Sequence, residues 1–479
     1  MTDRPAALFS AAEIAAALSG SILEGDPGAS VASVVVDSRK ALPLSLFVAL
    51  PGERTDGHEF LRAALEAGAS CALARLDRRE SLGAEVADLL SAARGKALVL
   101  VPDPLAALQA LARAYRARFP RLLRIGITGS SGKTTTKECV ASIMGRSRSV
   151  ILNPGNLNSD IGLPLSVFSI ESGHEVGIFE MGMNRSGEMG ELAEVLEPDL
   201  ALITNIGTAH IGILGSRDAI AEEKKKIFSR FDGRQSGFVW EDDDYRGFLR
   251  EGVRGDVLDF GPRSTEGLRV LRDLGLEGFE LEWRGRRFPF ALPGRHNLAD
   301  AIGAIALASR AGASPEDVAG GLSSVRPLFG RSELLRGELT IVRDCYNSNP
   351  DSAAQAIGLC DSVAWDGRRA YVLASMLELG GESEAAHRAL GEIAGRSAAD
   401  ALFFFGAETK SAFDAARLAG FRGLVVYETD FGRLLAAARA YLAPGDLVLL
   451  KGSRGMALER VADALAPSAP ADTAAGMEA

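Results

Sequence analysis

The sequence predicts an α/β protein of three domains arranged around a central, doubly wound and mainly parallel sheet. Three observations lead there. An apolar run at 122–127 passes into the loop Thr128, Gly129, Ser130, Ser131, Gly132, Lys133 and Thr134, and a helix then opens with Thr135, Thr136 and Lys137. Beyond it, short apolar runs alternate with helical stretches, as parallel strands joined by crossover helices do. At 479 residues the chain is also too long for one ordinary core.

The first domain, 1–119, mixes short strands at 31–36, 46–50, 71–74 and 97–101 with Ala- and Leu-rich helices. Ser10, Ala11, Ala12 and Glu13 have the spacing of a capping box. Glu13 interrupts the N-terminal apolar stretch, which therefore reads as a helix start rather than a signal peptide. A helix over 104–119, stopped by Pro120, closes the domain. The second domain, 120–326, carries the glycine loop and strands at 176–179 and 200–204, each followed by polar or glycine-containing turns. Within it, 235–293 reads as a β insertion of antiparallel strands at 238–240, 257–260, 279–283 and 287–290. The third domain, 327–479, is a second, Rossmann-like α/β unit with strands at 340–343, 370–373, 401–405, 424–427 and 447–450. Its Ala- and Pro-rich end, 467–479, reads as a disordered tail. No repeat of fixed period is present.

Composition narrows the function. Hydrophobic residues at 47% and charged residues at 24% describe a soluble globular chain. With 53 basic against 63 acidic residues and a net charge of −10, neither nucleic acid nor an anionic membrane is expected as the main partner. No uninterrupted apolar run approaches the ~18 residues of a membrane helix. The four cysteines (Cys71, Cys139, Cys345, Cys360) lack metal-finger spacing, which predicts free thiols in a reducing, cytoplasmic compartment.

The loop at 128–134 is the strongest chemical signal. Its glycines let backbone N–H groups close on phosphate oxygens, the helix directs its positive end at them, Lys133 adds a point charge, and the Thr134 hydroxyl can ligate magnesium. Ile127 stands where strict Walker spacing has its first glycine. Glu180, at the C-terminal end of an expected strand, suits a magnesium ligand or a surface turn acid equally. His210 ends the turn Asn205, Ile206, Gly207, Thr208, Ala209, and reads as a site ligand or as a solvated loop histidine. Asn153, Pro154, Gly155, Asn156, Leu157 and Asn158 offer donors to an anion, or simply satisfy a turn. Glu222, Glu223, Lys224, Lys225 and Lys226, taken alone, are a solvated helix face. Later polar turns hold Gly294, Arg295, His296 and Asn297; Gly330 and Arg331; Asp344, Cys345, Tyr346, Asn347, Ser348 and Asn349; and Lys451, Gly452, Ser453 and Arg454.

Taken in order, these residues resemble the Mur ligase family, the ATP-dependent amide-forming ligases of peptidoglycan precursor synthesis. Within that family, Asp344 to Ser352, the run Met376, Leu377, Glu378, Leu379, Gly380 with His387 after it, and Asp37, Ser38, Arg39 with Asp56, Gly57, His58 resemble the member that joins D-alanyl-D-alanine to UDP-N-acetylmuramoyl-tripeptide. The resemblance implies a domain order of UDP-substrate binding, ATP binding and ligase function. It implies ATP contacts from Thr128, Gly129, Ser130, Ser131, Gly132, Lys133, Thr134, Thr135, Asn156, Asn297, Arg331 and Asp344. Thr134, Glu180, His210 and a carbamylated Lys224 would hold magnesium, two ions in all. Lys133, Lys224, His210 and Arg331 would serve catalysis. Ser38, Arg39, Asp56 and His58 would lie near the UDP moiety, with Asn158, Asn347, Asn349, Lys451, Ser453 and Arg454 as further substrate contacts. A monomer acting through an acyl phosphate is implied.

Four departures from the family pattern cover five positions. Asp300 replaces an asparagine that contacts adenine, Lys226 replaces a glutamate, Ala374 and Ser375 replace glycine and aspartate, and Ser159 replaces an asparagine. The competing readings are another Mur ligase, a folylpolyglutamate synthetase-like ligase, and a regulatory P-loop ATPase.

Overall fold

The computed structural model describes residues 7–52, 55–92 and 95–465, and the expected tail at 467–479 lies outside the described residues. The chain divides into two compact units: 1–126, 148–200 and 226–235 form the first, and 127–147, 201–225 and 236–479 the second.

The first unit carries a five-stranded sheet of β1 (Ile22–Gly25), β2 (Ser33–Val35), β3 (Ser45–Val48), β4 (Cys71–Arg75) and β5 (Ala97–Val101), in the order β1-β5-β4-β3-β2. Only β1 runs antiparallel to its neighbour. β3 and β5 are buried along their whole length and β4 nearly so, as parallel strands covered on both faces should be. The strand expected at 31–36 is split. Ser30–Val31 pairs with Phe9–Ser10, while Ala32 donates its N–H to the Leu44 carbonyl at 2.7 Å and β2 joins the larger sheet. The capping box closes, with the Glu13 N–H donating to Ser10 Oγ at 3.2 Å and the Ser10 N–H to Glu13 Oε2 at 2.7 Å. The helix before Pro120 is Pro104–Arg116; Pro104 sits in its first turn and Asp103 caps it. The first residues of β6 (Leu123–Thr128) lie beside β8 (Val176–Glu180), which pairs in parallel with β7 (Val150–Leu152).

In the second unit Ile127 and Thr128, the end of β6, lie beside β9 (Leu200–Ile203), followed by β10 (Ser236–Trp240) and β11 (Asp256–Phe260). β10 and β11 pair in parallel, which corrects the antiparallel arrangement expected across 235–293. Their connection, 241–255, carries the helix Arg246–Arg250 and has the length of a crossover rather than a hairpin. The antiparallel insertion is confined to β12 (Leu268–Asp273), β13 (Phe279–Trp283) and β14 (Arg286–Phe290). β12 escapes a hydrophobic pattern because charge pairs join it to β13: Arg269 with Glu282 at 3.1 Å and Arg272 with Glu280 at 2.6 Å.

The last sheet contains β15 (Glu333–Arg336), β16 (Thr340–Asp344), β17 (Arg369–Ala374), β18 (Ala401–Phe405), β19 (Leu424–Glu428) and β20 (Leu447–Lys451), ordered β15-β16-β20-β17-β18-β19. All its pairs are parallel except β15 with β16. Alternate residues feed opposite cores: Tyr371, Leu373, Phe404 and Leu449 enter one, while Val372, Phe403, Val448 and Leu450 enter the other. Both faces are therefore covered, and β16 and β20 end at the mouth where the polar turns begin. Among the described residues no helix is long and apolar enough to cross a membrane.

Candidate active site

β6 delivers the chain to the phosphate loop. Gly129 has φ +150° and Gly132 φ +83°, and the helix Lys133–Met144 starts directly after, two residues earlier than the sequence suggests. Neither glycine can carry a side chain. A Cβ on Gly129 would lie 1.8 Å from Thr204 Oγ1, and one on Gly132 would lie 2.1 Å from Asp300 Oδ1. The turn after β9 pins the loop from outside. Ser130 N–H donates to the Asn205 carbonyl at 3.0 Å and Ser131 N–H to Asn205 Oδ1 at 3.1 Å. Asn205 Nδ2 returns a bond to the Ser131 carbonyl at 3.1 Å, and Gly207 N–H donates to Ser130 Oγ at 2.8 Å. The Asn side chain thus holds the Ser131 peptide on both sides.

Two lysines converge on one oxygen of that loop. Lys133 Nζ donates to the Gly129 carbonyl at 2.9 Å and Lys224 Nζ to the same carbonyl at 3.0 Å. Lys224 is 1% exposed. Burial, and then the charge of Lys133, push its ammonium well below the ordinary lysine range. The helix Arg217–Lys225 therefore does not present Lys224 as part of a solvated face. His210 is pushed down to about 3 by burial and then by Lys224 and Lys133, so its imidazole is neutral at physiological pH. It stands at φ +68°, a conformation rarely adopted by a residue with a side chain.

Asp300 packs against Gly132, and Thr136 Oγ1 donates to its Oδ1 at 3.3 Å. Burial raises its carboxyl well above the ordinary range, against the pull of Arg331 and Lys133. Asn297 is buried and spends its Nδ2 on the Pro293 carbonyl at 2.7 Å. Arg331 lies 4.2 Å over the Tyr346 ring. Asp344, at the end of β16, meets Lys451, at the end of β20, at 2.8 Å and also accepts the Ser332 N–H at 3.1 Å. Lys451 donates in addition to the Asn347 carbonyl at 2.9 Å. Asn349 caps the helix Pro350–Ser362 and reaches Ser131 Oγ at 3.5 Å. Ser453 Oγ accepts the Leu377 N–H at 2.9 Å, while Arg454 is exposed and pairs with Glu459 at 3.1 Å.

The first unit holds the other expected residues. Glu180, 4% exposed, accepts Asn158 Nδ2 at 2.8 Å, and Asn153 brackets its backbone with bonds of 2.9 and 3.0 Å. Asn156 lies exposed on the same loop. Ser38 is half-buried beside exposed Arg39, which is paired with Asp37 at 2.8 Å. His58 is buried with both ring nitrogens engaged, Nδ1 with Asp56 at 2.5 Å and Nε2 accepting the Arg75 N–H at 3.0 Å.

Comparison with known proteins adds to this geometry. Three family models match successive parts of the chain: the Mur ligase family catalytic domain over residues 30–116, the Mur ligase middle domain over 127–308, and the Mur ligase glutamate ligase domain over 330–454. The UDP-N-acetylmuramoyl-tripeptide–D-alanyl-D-alanine ligase of Treponema pallidum is 42% identical over 455 residues, covering 95% of this chain and 98% of its own. The chain belongs to the Mur ligase family. Its fold matches the crystal structure of MurF from Acinetobacter baumannii with a TM-score of 0.83 at 27% identity, over 96% of this chain and 99% of that one. MurF ligase from Thermotoga maritima, solved in complex with ADP, gives 0.74 at 26% identity over 90% and 96%.

Of the expected site residues, the second unit holds Thr128, the loop, Lys133, His210, Lys224, Asn349 and the Asp344–Lys451 pair. Among the described residues no group of three or more His, Cys, Asp or Glu stands ready for a metal. A bare ammonium at Lys224 would also repel one. The donor chemistry fits magnesium on one condition. A lysine pressed toward its neutral amine can take up carbon dioxide, and the resulting carbamate supplies the missing carboxylate beside a neutral imidazole. Thr204 was expected only as the end of a strand, and Asn205 and Asp351 stood within the turn 205–210 and the run 344–352 with no role of their own. Asn205 carried one clue, a side-chain amide at a strand's C-terminal mouth directly before a glycine turn.

Proposed function

We propose that this chain is an ATP-dependent carboxylate–amine ligase that joins UDP-N-acetylmuramoyl-tripeptide to D-alanyl-D-alanine, in cytoplasmic peptidoglycan precursor synthesis, with the segments 1–119, 120–326 and 327–479 serving substrate binding, nucleotide binding and ligation. The observation that carries the reading is the convergence of Lys133 and Lys224 on the Gly129 carbonyl, inside a loop built for phosphate. A purely regulatory nucleotide switch has no use for a second, buried lysine there.

The chemistry follows from the reactants. A carboxylate is a poor electrophile, so its oxygen attacks the ATP γ-phosphorus, ADP leaves, and an acyl phosphate forms. The dipeptide amine then adds to the acyl carbon, and phosphate departs from the tetrahedral intermediate. The loop amides and Lys133 orient the phosphates. Arg331 adds positive charge where two anions must meet. Thr134, His210 and carbamylated Lys224 are the proposed magnesium holders of the second unit, and Glu180 of the first. Bound magnesium would neutralise phosphate charge. His210 is already neutral and is better suited to hold a cation than to donate a proton.

Phosphate release from ATP and magnesium, measured with UDP-linked tripeptide in the presence and absence of D-alanyl-D-alanine, tests the proposal. Release that needs both substrates, with a product heavier by the dipeptide, is expected. Release that ignores both would refute it.

A further inference from the structure

Asp351 occupies the first turn of the helix Pro350–Ser362, where an acid ordinarily serves the helix's own amides. Here that work is already done. Asn349 Oδ1 accepts the Ser352 N–H at 2.8 Å, and Ser352 Oγ accepts the Asn349 N–H at 3.1 Å. Asp351 instead directs Oδ2 at Thr208, accepting its N–H at 2.6 Å and its hydroxyl at 2.8 Å. The approach is close enough that a Cβ on Gly207 would sit 2.4 Å from that oxygen.

A second anchor lies just beyond. Gly212 packs on the backbone of Leu379 and Gly380, where an added Cβ would meet the Leu379 carbonyl carbon at 2.5 Å and the Gly380 nitrogen at 2.8 Å. His210 lies midway between Thr208 and Gly212, at φ +68°. A residue with a Cβ keeps such a backbone only when its surroundings over-determine it. The segment 349–380 supplies both constraints.

We propose that Asp351 is a positioning residue for His210, a role that rests on the ligase reading above. By fixing the Thr208 peptide and hydroxyl it sets the turn that carries the imidazole to its place beside Lys133 and Lys224. The ligase segment thereby completes the nucleotide site as well as contributing its own substrate contacts.

Steady-state kinetics on Asp351→Ala and Asp351→Asn, each alone and combined with His210→Ala, test this. Asp351→Ala should lower kcat roughly 10- to 100-fold, the scale of loss when a site group is displaced by about an ångström. KM for ATP and dipeptide should shift less than about threefold, and in the His210→Ala background the further loss should also stay under about threefold, since coupled sites are not additive. Asp351→Asn, whose amide oxygen can take both bonds, should recover most of kcat. Additive losses, a raised KM at unchanged kcat, or an Asn variant no better than Ala would overturn the assignment.

Hydrogen exchange on the ligand-free protein gives a second readout, and decides alone if His210→Ala leaves no measurable rate. Asp351→Ala should speed exchange across 205–214 and leave 133–144 unchanged; unchanged exchange at 205–214 would also overturn the role. If Asp351→Ala does not fold, Thr208→Val, which removes only the hydroxyl bond, takes its place with the same criteria at a smaller loss. A wild-type chain that makes no amide product would refute the ligase reading instead, and the exchange comparison would still judge Asp351.

Discussion

Replacing Asp300 by Asn should stabilise the protein, and the gain should grow with pH. Asp300 is 6% exposed, it touches the backbone of Gly132, and Thr136 gives it one hydrogen bond of 3.3 Å. Burial raises its carboxyl well above the ordinary range, so the folded chain holds a proton that the unfolded chain releases near pH 4. A group whose folded pKa is raised contributes its stability at low pH and loses it as pH climbs toward the folded pKa. The slope is at most about 1.4 kcal/mol per pH unit for one proton. Between pH 5 and pH 7 the Asp300→Asn chain could therefore draw ahead by as much as about 2.7 kcal/mol, and the gap should level off above the folded pKa. Asn has the same shape, fits against Gly132, and offers Thr136 the same acceptor. Urea unfolding of both ligand-free chains at pH 5, 6, 7 and 8 measures the gap directly. A gap that stays constant or narrows with pH would refute the argument that burial keeps Asp300 protonated.

Other outcomes follow from the same contacts. Lys133→Ala removes a cation bonded to the Gly129 carbonyl at 2.9 Å and should abolish ATP turnover in a phosphate-release assay; near-normal turnover would remove the phosphate-cradle assignment. Lys224→Ala should be inactive and partly rescued by acetate, which can stand in for a carbamate. Full activity without acetate would make Lys224 a structural prop. All four cysteines are buried, with burial pushing Cys71 up to about 12 and Cys345 up to about 11. A disulfide reagent at pH 8 should thus leave the native chain unlabelled and react with all four thiols in urea; rapid native labelling would contradict that burial.

The fold was legible wherever local pattern and final environment agree. β3, β4 and β5 are short apolar runs bounded by turn residues, and they became buried parallel strands. β16, β17, β18 and β20 read the same way. What failed was orientation: β10 and β11 look like members of an antiparallel insertion because their apolar runs carry no mark of direction. Their pairing is decided by the 241–255 connection, a matter of length and of the helix Arg246–Arg250 rather than of strand composition. β12 and β15 were missed because cross-strand ion pairs hold them, and a partner strand cannot be seen from the charged run itself.

The site divides similarly. The loop at 128–134 was visible because glycine, lysine and threonine must stand in that order next to a strand and a helix. Lys224 was not visible from composition, since Glu222 to Lys226 reads as a solvated face; only the resemblance to Mur ligases singled it out, and the structure buries it against Gly129. Asn205 and Asp351 act across long sequence separations, so their neighbourhood places them in polar motifs without revealing what they hold.

Lys224 and Asp300 share a logic that bears on how an acidic chain handles an anionic substrate. Each is a buried ionisable group beside the phosphate loop, and in each the burial favours the uncharged form: the amine of Lys224 and the protonated acid of Asp300. A buried base and a buried acid would ordinarily pair, yet each is directed at the loop instead, one at the Gly129 carbonyl and the other at Gly132. Burial that disfavours the charge of Asp300 lessens what it can cancel of Lys133 and Arg331, the two cations proposed to meet a phosphate. Burial thus bears on the local charge of the cradle independently of the chain's net charge of −10. The shift toward the amine favours the carbamate proposed for Lys224, so the burial that would count against a lysine in an inert core supports its proposed role as a metal ligand.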